Sequence, residues 1–165
     1  MDNKKLTFSA LLIALGTMTG HLIYIPVGVA KAFPVQHLIN ILSAVILGPA
    51  YAVWNAFAIS LLRNMLGTGS LLAFPGSIIG ALLAGLFYQH FKAYSWALAG
   101  ELIGTGLLGA VAAYPIARFL MGSSSALFFF VIPFSVSAAG GAVTAYLFLK
   151  VVKKADSLSF IDELS

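Results

Sequence analysis

Pro26-Val-Gly-Val-Ala-Lys-Ala-Phe-Pro-Val-Gln-His-Leu-Ile-Asn40 is the stretch that decides how this chain is read, because it sets two prolines, a lysine, a histidine and two carboxamides into sequence otherwise fit for a lipid bilayer. Over the whole chain, 61% of the 165 residues are hydrophobic and 8% are charged, and the mean hydropathy is +1.01. Soluble domains carry about 25% charged residues, so this composition assigns the chain to the membrane. There, water does not reach buried polar groups, and each needs a partner or a purpose.

The same composition removes whole classes of function. The absence of cysteine excludes disulfides, thiol nucleophiles and cysteine-held metals. Nine Lys and Arg stand against five Asp and Glu, a net charge of +4. So small an excess on an apolar chain bears on membrane orientation, and no nucleic-acid partner is expected.

A helix needs about 20 apolar residues to cross a hydrocarbon core about 30 Å thick. Charges and Gly/Pro clusters divide the chain into six apolar segments, near 6–24, 35–47, 51–66, 71–90, 96–121 and 126–152. The expected fold is therefore an all-α membrane protein. Residues 1–154 form a single domain of six transmembrane helices, and 155–165, with Asp156, Asp162 and Glu163, a short cytoplasmic tail. The first segment follows Lys4 and Lys5, as a secretory signal would. It lacks a small-residue cleavage site leading into a polar mature domain, so it reads as a retained span. The second is short and framed by Pro34 and Gly48-Pro49, which reads as a partial or tilted span packed against protein.

An even number of spans puts both termini on one side. Lys4, Lys5, Lys92, Lys150, Lys153 and Lys154 fall on that side, and Lys31, Arg63 and Arg118 on the other. By the positive-inside rule the chain is a multi-pass cell-membrane protein with both termini cytoplasmic. Small residues recur every fourth position at Ala10/Ala14, Gly16/Gly20, Gly76/Gly80/Ala84, Gly100/Gly104 and Gly141/Ala145. Each row lets another helix backbone approach closely, as packing in lipid requires.

The polar residues gather mainly on the side away from the termini. Arg63-Asn64 leads into Gly67-Thr-Gly-Ser70 and then Phe74-Pro-Gly-Ser77, a glycine-rich re-entry with donors and an aromatic ring. His37 and Asn40 share a face of the short second helix, one turn from Lys31 and Phe33. With Gln36 they offer imidazole and amide groups that a small polar molecule, or one another, must satisfy. His21 and His90 belong to other helices, and with no cysteine or outer-side carboxylate beside His37, no metal site is expected. Ser77, Ser135 and Ser137 lack evident His and acid partners, so no catalytic constellation is present. Glu101 is the sole acid inside a span and reads as lying near the cytoplasmic end of the fifth helix. There it can serve a functional role, bond Tyr or Lys neighbours, or reach water.

A six-helix membrane chain with Ala10-x-x-x-Ala14 in its first helix resembles the substrate-binding S components of energy-coupling factor (ECF) vitamin transporters. The segments Gly28-Val-Ala-Lys-Ala-Phe-Pro-Val-Gln-His-Leu-Ile-Asn40, Leu47-Gly-Pro-Ala-Tyr51, Leu62-Arg-Asn-Met-Leu-Gly-Thr-Gly69 and Leu72-Ala-Phe-Pro-Gly-Ser77, with Gly104-Thr-Gly106 and Ala113-Tyr-Pro115, are similar to the ThiW family of S components. The resemblance implies capture of the thiamine precursor 5-(2-hydroxyethyl)-4-methylthiazole at the outer face, without cofactor and without ATP hydrolysis by this chain. It implies three partner subunits, a transmembrane coupling subunit and two cytoplasmic ATPases, with Ala10 and Ala14 as the docking face. It also implies a bundle that topples in the membrane to release its ligand inside.

Within that reading, Phe33 or Phe74 contacts the ring, and His37, Asn40 and Asn64 meet the hydroxyl and ring nitrogen. Lys31, Gln36, Arg63, Ser77 and Tyr114 complete the expected substrate set, with the first loop as a lid. Hydroxyethylthiazole is neutral at pH 7 and presents no charge to Lys31, Arg63 or Arg118. These cations either bond loop carbonyls, or the ligand is an anionic thiazole or another small vitamin precursor. A different class stays open: a non-transporting structural subunit, in which Gln36, His37, Asn40 and Asn64 bond one another around no cavity. A channel is disfavoured, because no polar stripe runs the length of a helix.

Overall fold

The computed structural model describes residues 3–28, 30–124 and 126–154, and the expected tail at 155–165 lies outside them. The described chain is a bundle of six helices: α1 Asn3–Thr19, α2 Pro34–Ile46, α3 Pro49–Met65, α4 Ala73–Phe91, α5 Tyr94–Leu120 and α6 Val131–Lys154. The last two are each long and apolar enough to cross a membrane. Connections at 47–48 and 92–93 are two residues long, which makes their neighbouring helices antiparallel.

Boundaries depart from expectation at both ends of the chain. The first helix stops at Thr19 rather than continuing to residue 24, and the last begins at Val131, after turns that take up 127–130. Between α1 and α2 stands a feature that apolar patterning does not reveal. Two short strands, β1 Ile25–Val27 and β2 Ala30–Ala32, pair antiparallel with Pro26 opposite Lys31. Gly28 holds φ at 59° at the first loop position, a conformation two-residue hairpin loops require and side chains disfavour. The expected loop is thus a hairpin.

α2 is the centre of the molecule. Pro34 starts it, its missing N–H falling where no helical bond would form. Eleven of its 13 residues are buried, the apolar ones among the neighbouring helices and Gln36, His37, Asn40 and Ser43 in hydrogen bonds to them. Thirteen residues rise only about 20 Å, so a helix whose far end is joined by Leu47-Gly48 to α3 must begin well inside the bundle. That depth governs which residues its first turn meets.

The small-residue rows divide into two kinds. A side chain at Gly16 would strike Ile59, and one at Gly80 would strike Thr105 and Glu101. Gly100 and Gly104 meet the α4 backbone, and Gly141 meets Pro34 and His37 of α2. These rows are internal seams. Ala10 and Ala14 instead lie exposed beside Leu11, Leu15 and Met18.

One polar cluster binds the first three helices together. Ser9 of α1 donates to Asn55 Oδ1 of α3, and Asn55 Nδ2 donates to Ser43 Oγ of α2 at 3.0 Å. Asn55 and Ser43 are fully buried and Ser9 is nearly so. No side-chain atom of these three residues is left without a partner.

Candidate functional site

At the hairpin end of the bundle a cavity of about 390 Å³ opens between β2, α2, α3, α4, α5 and α6. Its polar lining comes from Lys31, Gln36, His37, Arg63, Thr68, Ser70, Ser77, Thr105 and Ser137, and its aromatic lining from Phe33, Phe130 and Phe134. This size, with an apolar wall and a few convergent polar groups, suits a small organic solute.

The polar lining is one connected network. Arg63 Nη1 donates to Gln36 Oε1 at 2.7 Å, which assigns the other end of that amide as the donor. Gln36 Nε2 reaches Ser60 Oγ at 2.8 Å and Ser77 Oγ at 3.0 Å. Ser77 donates its own proton to the Ala73 carbonyl, so the proton in the 2.9 Å Ser60–Ser77 contact comes from Ser60. Asn40 Nδ2 then bridges the Ser77 carbonyl at 3.2 Å and Glu101 Oε1 at 3.0 Å. Glu101 Oε1 also meets His37 Nδ1 at 2.7 Å and Thr105 Oγ1 at 3.0 Å. A guanidinium and a carboxylate, 2% and 0% exposed, thus stand at the two ends of one hydrogen-bonded chain.

The network leaves bonds unmade. Asn40 Oδ1, Arg63 Nε and Glu101 Oε2 are buried and have no hydrogen-bond partner. Arg63 nonetheless spends its two terminal nitrogens, one on Gln36 and the other on the Thr68 carbonyl at 3.1 Å. Its guanidinium carbon also sits 4.9 Å from the Phe33 ring centre. Lys31 is exposed on the hairpin, with its ammonium 4.5 Å from the Tyr24 ring centre. The hairpin itself is tied down where the Phe33 N–H donates to Ser137 Oγ at 2.7 Å.

Of the residues singled out from sequence, Lys31, Phe33, Gln36, His37, Arg63 and Ser77 line the cavity together. Asn40 lies behind the wall, holding Glu101 and the Ser77 carbonyl. Asn64 is outside the lining and clamps the re-entry by donating to the Ser60 and Ser70 carbonyls. Phe74 is also outside it, packed against Phe57 with ring centres 5.8 Å apart. Tyr114 is half-buried on α5 and belongs to no part of the lining. Arg118 is exposed in the last turn of α5.

The position of Glu101 corrects the sequence reading. Expected near the opposite end from His37, it forms the closest contact His37 makes. Glu101 is two turns into α5, and the short α2 starts at the same depth, so the two side chains meet inside the bundle. A carboxylate therefore does join His37, although among the described residues no group of three His, Cys, Asp or Glu gathers as metal ligands. Thr105 was also missed as a lining residue. It falls where α5 loosens into a wider π turn over Gly104–Gly109, and its signal was a hydroxyl between two glycines in an apolar span. Phe130 and Phe134 carry no such signal, since exposed Phe128 and Phe129 are their neighbours in sequence.

The chain matches the family described as thiamine-precursor transporter protein (ThiW) over residues 6–155. No curated protein and no solved structure matches it.

Proposed function

The chain belongs to the ThiW family of thiamine-precursor transporter proteins, and on that premise we propose that it is the substrate-binding S component of an ECF-type transporter, taking up hydroxyethylthiazole. The observation that carries this reading is the cavity of about 390 Å³ at the hairpin end, walled by Phe33, Phe130 and Phe134 and edged by Gln36, His37, Ser77, Thr105 and Ser137. A purely structural subunit calls for that half of the bundle to be closed around its own polar groups. The open lining speaks against it.

In this reading six helices span the membrane with both termini cytoplasmic, and the hairpin covers the site from outside. The thiazole ring lies among the phenylalanines, and its hydroxyl and ring nitrogen meet the polar edge. The bonds of Arg63 to Gln36 and the Thr68 carbonyl, and the place of Lys31 over Tyr24, give the cations work that needs no anionic ligand. They favour the neutral thiazole over a carboxylate or phosphate. Energy comes from partner ATPases through a coupling subunit, which docks on the exposed Ala10/Ala14 face.

Two measurements test the proposal. Calorimetry on the purified protein should give heat with hydroxyethylthiazole, and ligand should raise the unfolding temperature. Neither effect at millimolar ligand rules out this substrate. Ala14→Trp should abolish co-purification with the coupling subunit while ligand affinity stays within about twofold of wild type; joint loss of both would mean misfolding and remove the docking evidence.

A further inference from the structure

Among the described residues Glu101 is the sole carboxylic side chain, and binding a neutral solute does not by itself explain why an acid is buried there. Its cradle is built: a side chain at Gly80 would come within 2.1 Å of Thr105 Oγ1 and 2.8 Å of Glu101 Oε1, and one at Gly141 within 2.6 Å of His37 Cβ. Glycines on α4 and α6 clear the space on either side of the pair.

The hydrogen bonds decide where the proton lies. Glu101 Oε1 is approached by His37 Nδ1, Asn40 Nδ2 and Thr105 Oγ1. Thr105 has one proton to share between Oε1 and the Gly76 carbonyl, each at 3.0 Å, whereas Asn40 Nδ2 can only donate. With Glu101 as a carboxylate, Oε1 accepts from Asn40 and from His37, and Nδ1 carries the proton of the His37–Glu101 contact. The guanidinium of Arg63 is buried in the same network, joined to Glu101 through Gln36, Ser77 and Asn40. A charged His37 would bury a second cation against the one carboxylate of the network. A neutral imidazole protonated on Nδ1 carries its lone pair on Nε2. Among the described residues no group bonds Nε2, and His37 lines the cavity whereas Glu101 does not.

We infer that Glu101 is a positioning residue for recognition: it holds His37 in the tautomer that offers Nε2 to the cavity as a hydrogen-bond acceptor, so the site selects a small heteroaromatic solute that donates a hydrogen bond. This inference rests on the proposed solute-binding role and deepens it. An alcohol is accepted, and the same molecule capped as a methyl ether is discriminated against. Hydrogen-bond acceptance at this edge falls to His37, and donation to Ser137, whose Oγ accepts from the Phe33 N–H and keeps its own proton, while Gln36 Nε2 and Thr105 spend theirs inside the network.

The first test needs no ligand. Nitrogen-15 NMR on histidine-labelled protein in nanodiscs, with His37 assigned by difference from His37→Gln, should show Nδ1 protonated and Nε2 bare. Protonation of Nε2, in the other tautomer or in an imidazolium, overturns the inference. The second test compares hydroxyethylthiazole with its O-methyl ether by calorimetry. Wild type should prefer the alcohol roughly tenfold to a hundredfold, the cost of leaving a buried acceptor unpaired. Glu101→Gln should keep the preference, because its amide oxygen can still accept from His37 Nδ1 and Asn40 Nδ2. Glu101→Leu leaves Nδ1 without an acceptor and should reduce the preference to within about threefold. Equal weakening of both probes in Glu101→Leu, with their ratio preserved, makes Glu101 a packing residue and overturns the inference. Heat from neither probe while the NMR signature holds counts against the thiazole assignment and leaves the acceptor geometry standing.

Discussion

Ser9–Asn55–Ser43 and the chain from Arg63 to His37 are both buried polar clusters, both draw on α2 and α3, and only the second borders space. In the first, one carboxamide accepts from one serine and donates to another, and no side-chain atom remains unpartnered. In the second, three buried atoms lack partners and five of the residues, Gln36, His37, Arg63, Ser77 and Thr105, face a cavity. Polarity inside a membrane bundle therefore does not mark a site. Unspent hydrogen-bonding capacity beside room for a solute does.

Substitutions can break that contrast, the most damaging first. Asn55→Leu strands the Ser9 and Ser43 hydroxyls together, which should cost about 2–4 kcal/mol of stability, while ligand affinity of the folded fraction stays near wild type. Thermal unfolding with and without hydroxyethylthiazole checks both halves. Lost affinity at unchanged stability would make the first cluster part of the site. His37→Leu should do the reverse: ligand binding weakens roughly tenfold to a hundredfold, about 1.4–2.7 kcal/mol, with a smaller effect on unfolding.

Arg63→Gln removes the bond to the Thr68 carbonyl and the contact with Phe33. For a neutral ligand the loss should be a few-fold, about 1 kcal/mol, and independent of salt. A much larger loss, with salt dependence present in wild type and gone in the variant, would restore the anionic thiazole. Lys31→Ala should matter least, about 0.5 kcal/mol, because an exposed cation over a tyrosine ring is a weak tether. A tenfold change in affinity there would mean that Lys31 touches the ligand.

Much of the cavity lining was legible in the chain. Gln36 and His37 lie on a helix start that follows Phe33-Pro34, and Arg63 and Ser77 flank the glycine-rich re-entry, so four lining residues could be read from polarity set against an apolar background. Phe74 and Asn64 misled for a local reason. Each sits at a helix end beside a lining residue, Arg63 or Ala73, and one helical step of about 100° turns it elsewhere, to the Ser60 and Ser70 carbonyls or to Phe57. The hairpin escaped notice because three-residue strands are too short to show alternation.

Glu101 shows the limit most clearly. The sequence alone determined that this is a helical membrane chain, where its polar interruptions fall and which family it resembles, because hydropathy and motif spacing are local quantities summed along the chain. Only the tertiary structure decided that Glu101 bonds His37, that the Asn55 cluster is closed, and that Gly16 and Gly80 are seams while Ala10 and Ala14 face outward. Those outcomes depend on the depth at which the 13-residue α2 starts beside the 27-residue α5. Depth is set by how helices of unequal length pack together, and no single segment encodes it.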